Sequence, residues 1–129
     1  MDEDDGSEPH GELTIRTVAM PADTNPSGDI FGGWVLSQMD IAGGVAARKF
    51  AKGRVVTVAV TAMTFIAPVK VGDVLCVYTR ITKTGTTSIT VEIEAFARRS
   101  EISGREKVTE GTFVYVALGK DGRPRPLGS

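Results

Sequence analysis

The sequence contains very few of the side chains that carry out most nucleophilic and metal-dependent chemistry, with one cysteine and one histidine in 129 residues. Cys76 has no second cysteine with which to form an internal disulfide or a cysteine-clustered zinc or iron–sulfur site. His10 lies in the stretch MDEDDGSEPHGE, which has few apolar residues to anchor it. A Ser-His-Asp triad, a Cys-His pair and a multi-histidine metal centre within one chain are therefore not expected. The remaining possibilities for its function are chemistry carried out by a carboxylate, or binding of a ligand without catalysis.

Long apolar runs are also absent. The chain has no 18-residue apolar stretch and no charged-then-apolar amino terminus, so we expect neither a membrane span nor a signal peptide, and a cytoplasmic protein. The net charge is −1, but residues 1–10 carry five acids and no Lys or Arg, which leaves 15 bases against 11 acids in the rest. A mildly basic body suits an anionic small molecule and falls well short of what nucleic-acid binding requires.

A chain of this length with 41% hydrophobic residues is expected to fold as one domain. We place that domain at residues 12–118. The acidic residues 1–11 before it are predicted to be a disordered tail, and the Gly- and Pro-rich residues 119–129 after it a flexible C-terminal tail.

The hydrophobic pattern changes twice along this domain. The segment before Pro21 alternates like a strand, whereas residues 31–50 carry apolar side chains at helical spacing that nearly encircle the first three turns. One mostly buried helix of about five turns is predicted there. Four further alternating strands follow, so the predicted fold class is α+β: an antiparallel sheet of about five to six strands wrapped around a long central helix. In the first of these strands one face is predicted to hold Val56, Val58, Val60 and Ala62.

The middle of the predicted helix contains a carboxylate, Asp40. A buried carboxylate is costly unless it is paired, hydrated or functional. Asp40 is thus a candidate catalytic group, or it accepts a hydrogen bond from the sheet backbone or a threonine. Gly43 and Gly44 follow one turn later, although each glycine inside a helix costs on the order of 1 kcal/mol relative to alanine. They leave room for a substrate and a water, or they allow the helix to pack closely against the sheet or a partner helix.

The start of the helix is a second candidate site. Gly32 and Gly33 fall where backbone N–H groups have no partner within the helix, and free donors at the positive helix end suit an oxyanion. A flexible turn is the alternative. Asn25 in the preceding loop either donates a side-chain N–H or forms an Asx-turn before Pro26.

The two candidate sites are separated along the helix axis. Gly33 and Asp40 are seven residues apart, which corresponds to about 10 Å. A base and an oxyanion donor should each lie about 3 Å from the reacting group, so one helix cannot bring both to one atom. If both are catalytic, the glycine end of one subunit meets Asp40 of another at a dimer interface.

These residues occur together in TVAMPADTNPSGDIFGGWVLSQMDIAGGVAARKFAKGRVVTV and in MTFIAPVKVGDVL. Asn25 lies three residues before Gly28, Asp40 seven after Gly33, and a strand follows Arg54. Over residues 12 to 118 the chain resembles the acyl-CoA thioesterases of the hotdog-fold superfamily, specifically the YciA-type group.

The resemblance implies a hotdog fold, edge-to-edge sheet pairing in a homodimer, and often a trimer of such dimers. It also implies that Asp40 is the catalytic acid, that Asn25 of the opposite subunit helps to place water or substrate, and that amides near Gly32 and Gly33 polarise the thioester carbonyl. Coenzyme A runs along the interface in this family. The contacts this suggests are Arg54, Val56, Thr57, Lys83, Gly85, Thr86, Thr87 and Ser88.

The resulting hypothesis is hydrolysis of an acyl-CoA to a free acid and coenzyme A, with Asp40 as general base or nucleophile. Coenzyme A is then part of the substrate and product, and no separate cofactor or metal is expected. One alternative is a hotdog hydratase or dehydratase, which relies on an ordered histidine. The other is a non-enzymatic module that binds or senses acyl-CoA. Cys76, in an alternating strand, is expected to fill the core.

Overall fold

The computed structural model describes residues 8–99 and 104–128. One long helix and five strands form within these ranges, and the helix is displaced by a single residue from the predicted range 31–50. The elements are β1 (Glu12–Val18), a 3-10 turn (Pro21–Asp23), α1 (Gly32–Ala51), β2 (Val55–Phe65), β3 (Val74–Thr84), β4 (Ser88–Arg98) and β5 (Glu106–Ala117).

All five strands join one antiparallel sheet in the order β1-β3-β4-β5-β2. Helix α1 contacts every one of them, so the sheet curves around the helix. The core lies between the two layers and takes alternate residues of the central strands, such as Ile89, Val91 and Ile93 of β4. The fold class predicted from the sequence periodicity is therefore confirmed, and the sheet has five strands, where about five to six were predicted. Cys76 is buried, but the core cluster contains its strand neighbours Leu75 and Val77 and not Cys76 itself, so the expectation that it fills the core is confirmed only as to burial.

Helix α1 is buried on one face only, which corrects the prediction that it is mostly buried. Val35, Met39 and Ala42 face the sheet with at most 3% of their surfaces exposed. Ile41 and Val45, on another face, are each about half exposed, at 52% and 50%. The reason is geometric, since a single sheet covers only one side of a helix. In the part of the chain described, no helix is long and apolar enough to cross a membrane.

Strand β2 contains two irregularities that the alternation of its sequence conceals. Register shifts against β5 occur between Thr57 and Ala59 and again between Thr61 and Thr64. A bulge adds a residue and reverses which face the following side chains occupy. Val56 therefore lies on the face of Val116, whereas Val60 lies on the face of the buried Phe113. The prediction of one face shared from 56 to 62 is wrong for this reason.

The segment predicted to be a flexible C-terminal tail is packed onto the domain as far as residue 128. Arg125 donates to the carbonyl of Ala51 at the end of α1 (2.7 Å) and to that of Leu118 (3.1 Å). The N–H of Leu127 bonds the carbonyl of Thr86 (2.8 Å). This segment therefore caps the helix and holds the β3–β4 turn.

The expectation that nothing anchors His10 is also corrected. Its backbone N–H donates to Oε1 of Glu94 (2.8 Å), and its Nδ1 lies 3.0 Å from Oε2. Glu94 follows Ile93, which faces the helix, so Glu94 and His10 meet on the face of the sheet turned away from α1. Residues 1–7 of the predicted acidic tail lie outside the described residues.

Candidate active site

Asp40 is half-buried in the middle of α1, where it faces the paired strands β2 and β5. Its Oδ1 accepts a hydrogen bond from the Thr57 hydroxyl (2.7 Å) and one from the Tyr115 hydroxyl (3.0 Å). Thr57 and Tyr115 are direct cross-strand partners, so the sheet register brings both hydroxyls to one oxygen. None of the residues in the described ranges donates to Oδ2. The carboxylate is thus held by one oxygen and open at the other.

Gly43 is the glycine that this arrangement requires. A Cβ added there would stand 2.2 Å from the Tyr115 hydroxyl oxygen and 2.6 Å from Cδ1 of Ile93. At Gly44 the nearest atom, Cε2 of Tyr115, would be at 3.9 Å, an ordinary contact. The first glycine of the pair therefore allows close packing against the sheet, and specifically against the tyrosine that bonds Asp40.

Tyr115 is 1% exposed and remains a hydrogen-bond donor. Burial, together with the charge of the nearby Asp40 carboxylate and the hydrogen bond to it, raises the pKa of the Tyr115 hydroxyl far above its usual value. The same hydroxyl lies 3.0 Å from the backbone carbonyl oxygen of Asp40. A single proton is shared between these two acceptors.

The beginning of α1 leaves backbone donors available. Phe31 is the N-cap residue and makes no side-chain capping bond. The first helical N–H groups, those of Gly32 and Gly33, are exposed, and no described residue would contact a Cβ added at Gly33. Nothing within the described chain therefore requires glycine at position 33. This fits an approach from outside, by substrate or by another subunit.

Asn25 forms the Asx-turn that was one of its two expected roles. Its Oδ1 accepts the N–H groups of Ser27 (2.9 Å) and Asp29 (3.1 Å). Gly28 completes the turn with a φ of 88°, a backbone conformation that residues with a side chain rarely adopt. With Oδ1 occupied, only the Nδ2 amide group of Asn25 remains to donate elsewhere, so the turn orients the donor.

The predicted coenzyme A contacts separate into three groups. Arg54 and Gly85 line a cavity of about 890 Å³ at the end of α1. Thr57 is not among the residues lining this cavity and donates to Asp40, and Val56 lies on the opposite face of β2. The remaining predicted contacts belong to β3, β4 or the turn between them but are not among the residues lining that cavity; they are Lys83, Thr86, Thr87 and Ser88.

Sequence reasoning missed four residues of these sites. Tyr115 lies 75 positions from Asp40, and no local pattern relates them. Lys52 and Lys120 line the cavity with Arg54, and Arg125 adds a fourth basic side chain; none of the described residues of the lining is acidic. The excess of bases over acids in the body of the chain was the available signal, but it does not say where the bases converge.

No cluster of three or more His, Cys, Asp or Glu side chains suited to a metal ion occurs in residues 8–99 and 104–128. The groups that the structure does bring to the site are one carboxylate, two hydroxyl donors and the backbone amides of a helix start.

Known proteins are similar to this chain in sequence and in fold. The sequence profile of the thioesterase superfamily matches residues 27–102. An acyl-CoA thioester hydrolase, YciA, from Salmonella typhimurium is 57% identical over 122 residues, covering 92% of each chain. A hexameric thioesterase from Yersinia pestis, solved as a crystal structure, is 55% identical, covers 95% of this chain and 99% of its own, and superposes with a TM-score of 0.90. An acyl-CoA hydrolase from Staphylococcus aureus, solved with butyryl coenzyme A and coenzyme A, is 26% identical, covers 88% and 69%, and gives a TM-score of 0.82.

Proposed function

This chain belongs to the thioesterase superfamily and has its hotdog fold, and from that membership we infer that it is an acyl-CoA thioester hydrolase. We propose that Asp40 is its catalytic carboxylate. The observation that carries this proposal is the asymmetry of Asp40, whose Oδ1 is held by two hydroxyl donors while no described residue donates to Oδ2. A carboxylate fixed in this way presents one basic oxygen in a defined direction.

In the proposed reaction Oδ2 of Asp40 takes a proton from water as the water oxygen attacks the thioester carbonyl carbon. The C–S bond then breaks, the coenzyme A sulfur receives the proton, and the acid leaves. The developing oxyanion is stabilised by the N–H groups of Gly32 and Gly33 at the positive end of the helix. The amide of Asn25 orients the water or the carbonyl. Direct attack by Asp40 would instead give a mixed anhydride, which hydroxylamine would trap as a hydroxamate; we expect none above the uncatalysed background.

The basic cavity at the end of α1 is the proposed site for the nucleotide of coenzyme A. The phosphates of coenzyme A carry negative charge, and the described lining includes Lys52, Arg54 and Lys120 and no acidic residue. Asp40 lies eleven residues before the last residue of α1, or about 16 Å along the helix. Strand β2 leads from Arg54 towards Thr57 in about 10 Å. An extended substrate would therefore lie along β2, with its thioester near Asp40.

The site needs a second copy of the chain, and we propose a dimer that assembles as a trimer of dimers. Gly33 and Asp40 are about 10 Å apart on one helix, too far to act on one carbonyl. Strand β2 is an edge strand, and its unpaired backbone suits pairing with the same strand of a partner. The half-exposed Ile41 and Val45 offer an apolar helix face for the same contact. The Yersinia pestis relative is described as hexameric.

No separate cofactor is included in this proposal, because coenzyme A enters with the substrate and leaves as product. The cytoplasmic location stays a prediction from the sequence. The alternative function, a hydratase or dehydratase that relies on an ordered histidine, is disfavoured by the position of His10, which is bound to Glu94 on the face of the sheet turned away from α1.

The test is thiol release, followed with a disulfide dye, from acyl-CoAs of increasing chain length, using wild type and Asp40→Asn. The asparagine carbonyl can keep the bonds from Thr57 and Tyr115 while the basic oxygen is replaced by an amide, so the fold is retained and turnover should fall by roughly 100-fold or more. Glu92→Gln makes the same change in an exposed ion pair with Arg80 and should leave turnover unchanged.

Retention of wild-type turnover by Asp40→Asn would remove Asp40 from the reaction. Tight binding of coenzyme A without release of thiol from any substrate would instead indicate an acyl-CoA binding module.

A further inference from the structure

We propose that Tyr115 is a positioning residue of this hydrolase: its hydroxyl, together with that of Thr57, fixes the Asp40 carboxylate so that Oδ2 alone faces the reacting water. The inference rests on the proposed role of Asp40 as the base. It adds a residue from the last strand to a site that the sequence placed on the helix and its preceding loop.

The first support is geometric. The Tyr115 hydroxyl lies 3.0 Å from both Oδ1 and the backbone oxygen of Asp40, so it contacts the side chain and its own helical turn together. A donor that bridges these two acceptors opposes rotation of the carboxylate about the side-chain bonds. Thr57 approaches the same Oδ1 at 2.7 Å from the neighbouring strand. Oδ2 is left without a donor among the described residues.

The second support is the packing around the phenol. Tyr115 is 1% exposed, and its ring stacks at 6.4 Å on that of Phe113. The hydroxyl reaches the helix only because position 43 is glycine, since a Cβ there would stand 2.2 Å from the hydroxyl oxygen. The helix therefore accepts an interior glycine, which destabilises it, at the point where the tyrosine bonds Asp40.

The third support is protonation. The pKa of Tyr115 is raised by burial and by the adjacent Asp40 carboxylate, so the phenol keeps its proton throughout the working pH range. A permanent donor stabilises the ionised carboxylate relative to the neutral acid. Loss of that donor should leave the ionised carboxylate less stabilised and free to rotate.

The experiment compares Tyr115→Phe with wild type across pH, using one saturable acyl-CoA substrate. We expect kcat to fall by roughly 10- to 100-fold, as for loss of a hydrogen bond to a charged group, with KM changed by less than about twofold. The acid limb of kcat/KM should move to higher pH, because this limb reports the essential base of the free enzyme. A merely structural tyrosine would not move that limb.

The chain offers a matched control, because it contains only one other tyrosine, Tyr78. Tyr78 packs edge-on against Phe96, with ring centroids 5.6 Å apart, and its cross-strand partner Glu94 lies on the sheet face turned away from α1. Tyr78→Phe removes the same hydroxyl and should leave kcat, KM and the pH profile at wild-type values.

A second measurement does not depend on Tyr115→Phe folding. In the Tyr78→Phe background, biosynthetic replacement of tyrosine by 3-fluorotyrosine labels position 115 alone. The fluorinated phenol keeps the shape and is the stronger donor, so the acid limb should move to lower pH, opposite to the shift in Tyr115→Phe.

The proposal is overturned if folded Tyr115→Phe matches wild type in kcat and in its acid limb, if only KM changes, or if fluorination leaves the limb in place. These outcomes differ from failure of the proposed function. A fully active Asp40→Asn would refute the base itself, whereas an inactive Asp40→Asn beside an unaffected Tyr115→Phe refutes only the role of Tyr115.

Discussion

The paired glycines of α1 allow a prediction in which two neighbouring substitutions should have opposite effects. Gly43→Ala and Gly44→Ala each add one methyl group and each gain about 1 kcal/mol of helix propensity. At Gly43 the new Cβ stands 2.2 Å from the Tyr115 hydroxyl oxygen and 2.6 Å from Ile93 Cδ1. Ordinary contacts are about 3.5–4.0 Å, so these groups must retreat by about 1 Å or more. At Gly44 the nearest atom is already at 3.9 Å.

The collision should cost about 1–3 kcal/mol, the usual range for overpacking a filled core. Because helix propensity is common to both variants, the difference between them isolates that cost. We expect the free energy of unfolding of Gly43→Ala to be about 1–3 kcal/mol lower than that of Gly44→Ala. The free energy of unfolding of Gly44→Ala should equal or exceed that of wild type. Gly43→Ala should also lose turnover, because the displaced tyrosine no longer holds Asp40.

The assay is urea unfolding followed by the fluorescence of Trp34, the only tryptophan. All proteins must be compared at one protomer concentration, because association shifts apparent stability by mass action. Sedimentation of each variant checks that the assembly is unchanged. Equal stability of the two variants, or a more stable Gly43→Ala, would refute the close approach of Tyr115 to the helix.

Two further predictions concern charge. Arg54→Ala should raise KM for acyl-CoA by about two- to fivefold, the scale of an exposed ion pair, and leave KM for the same acyl-pantetheine unchanged. Arg16→Ala on β1 is the matched control. An equal rise of KM for both substrates would contradict a contact between Arg54 and the nucleotide. For Glu94, burial raises its pKa, but hydrogen bonds from Lys107 and His10 outweigh it, so the folded pKa lies below the ordinary value of 4.5. The ionised Glu94 therefore stabilises the folded state, fully above about pH 4.5, and this stabilisation is lost as the pH falls through the lowered pKa. Glu94→Gln should therefore be less stable than wild type at neutral pH, with the gap in melting temperature narrowing in acid; a gap independent of pH would contradict this.

The elements of the fold were readable because their signals are local. Helical spacing predicted α1 to within one residue at each end, and alternation located the strands. Asp40 stood out for a similar reason, as a carboxylate inside an apolar helix. The Asx-turn of Asn25 was among the alternatives because its chemistry involves only the next few residues.

Errors arose where a residue's environment depends on distant parts of the chain. The bulges of β2 cannot be seen in an alternating sequence, and they fix which side chains face the helix. The contact of Thr57 with coenzyme A stays a prediction, but its bond to Asp40 was not foreseen, because that bond depends on Thr57 lying on the helix-facing side before the first bulge. The C-terminal segment was predicted to be flexible from its glycines and prolines, yet Arg125 and Leu127 tie it to the helix end and the β3–β4 turn.

Local patterns in the chain thus suffice for its elements, its fold class and the carboxylate at its centre, because hydrophobic periodicity and the cost of burying a charge act over a few residues. The partners of that carboxylate depend on the register of β2 against β5, which pairs Thr57 with Tyr115 far along the chain. Register is fixed by packing across the whole sheet. Only the folded chain therefore brings Tyr115 to Gly43 and Asp40, and converts a glycine that weakens the helix into the space that the site requires.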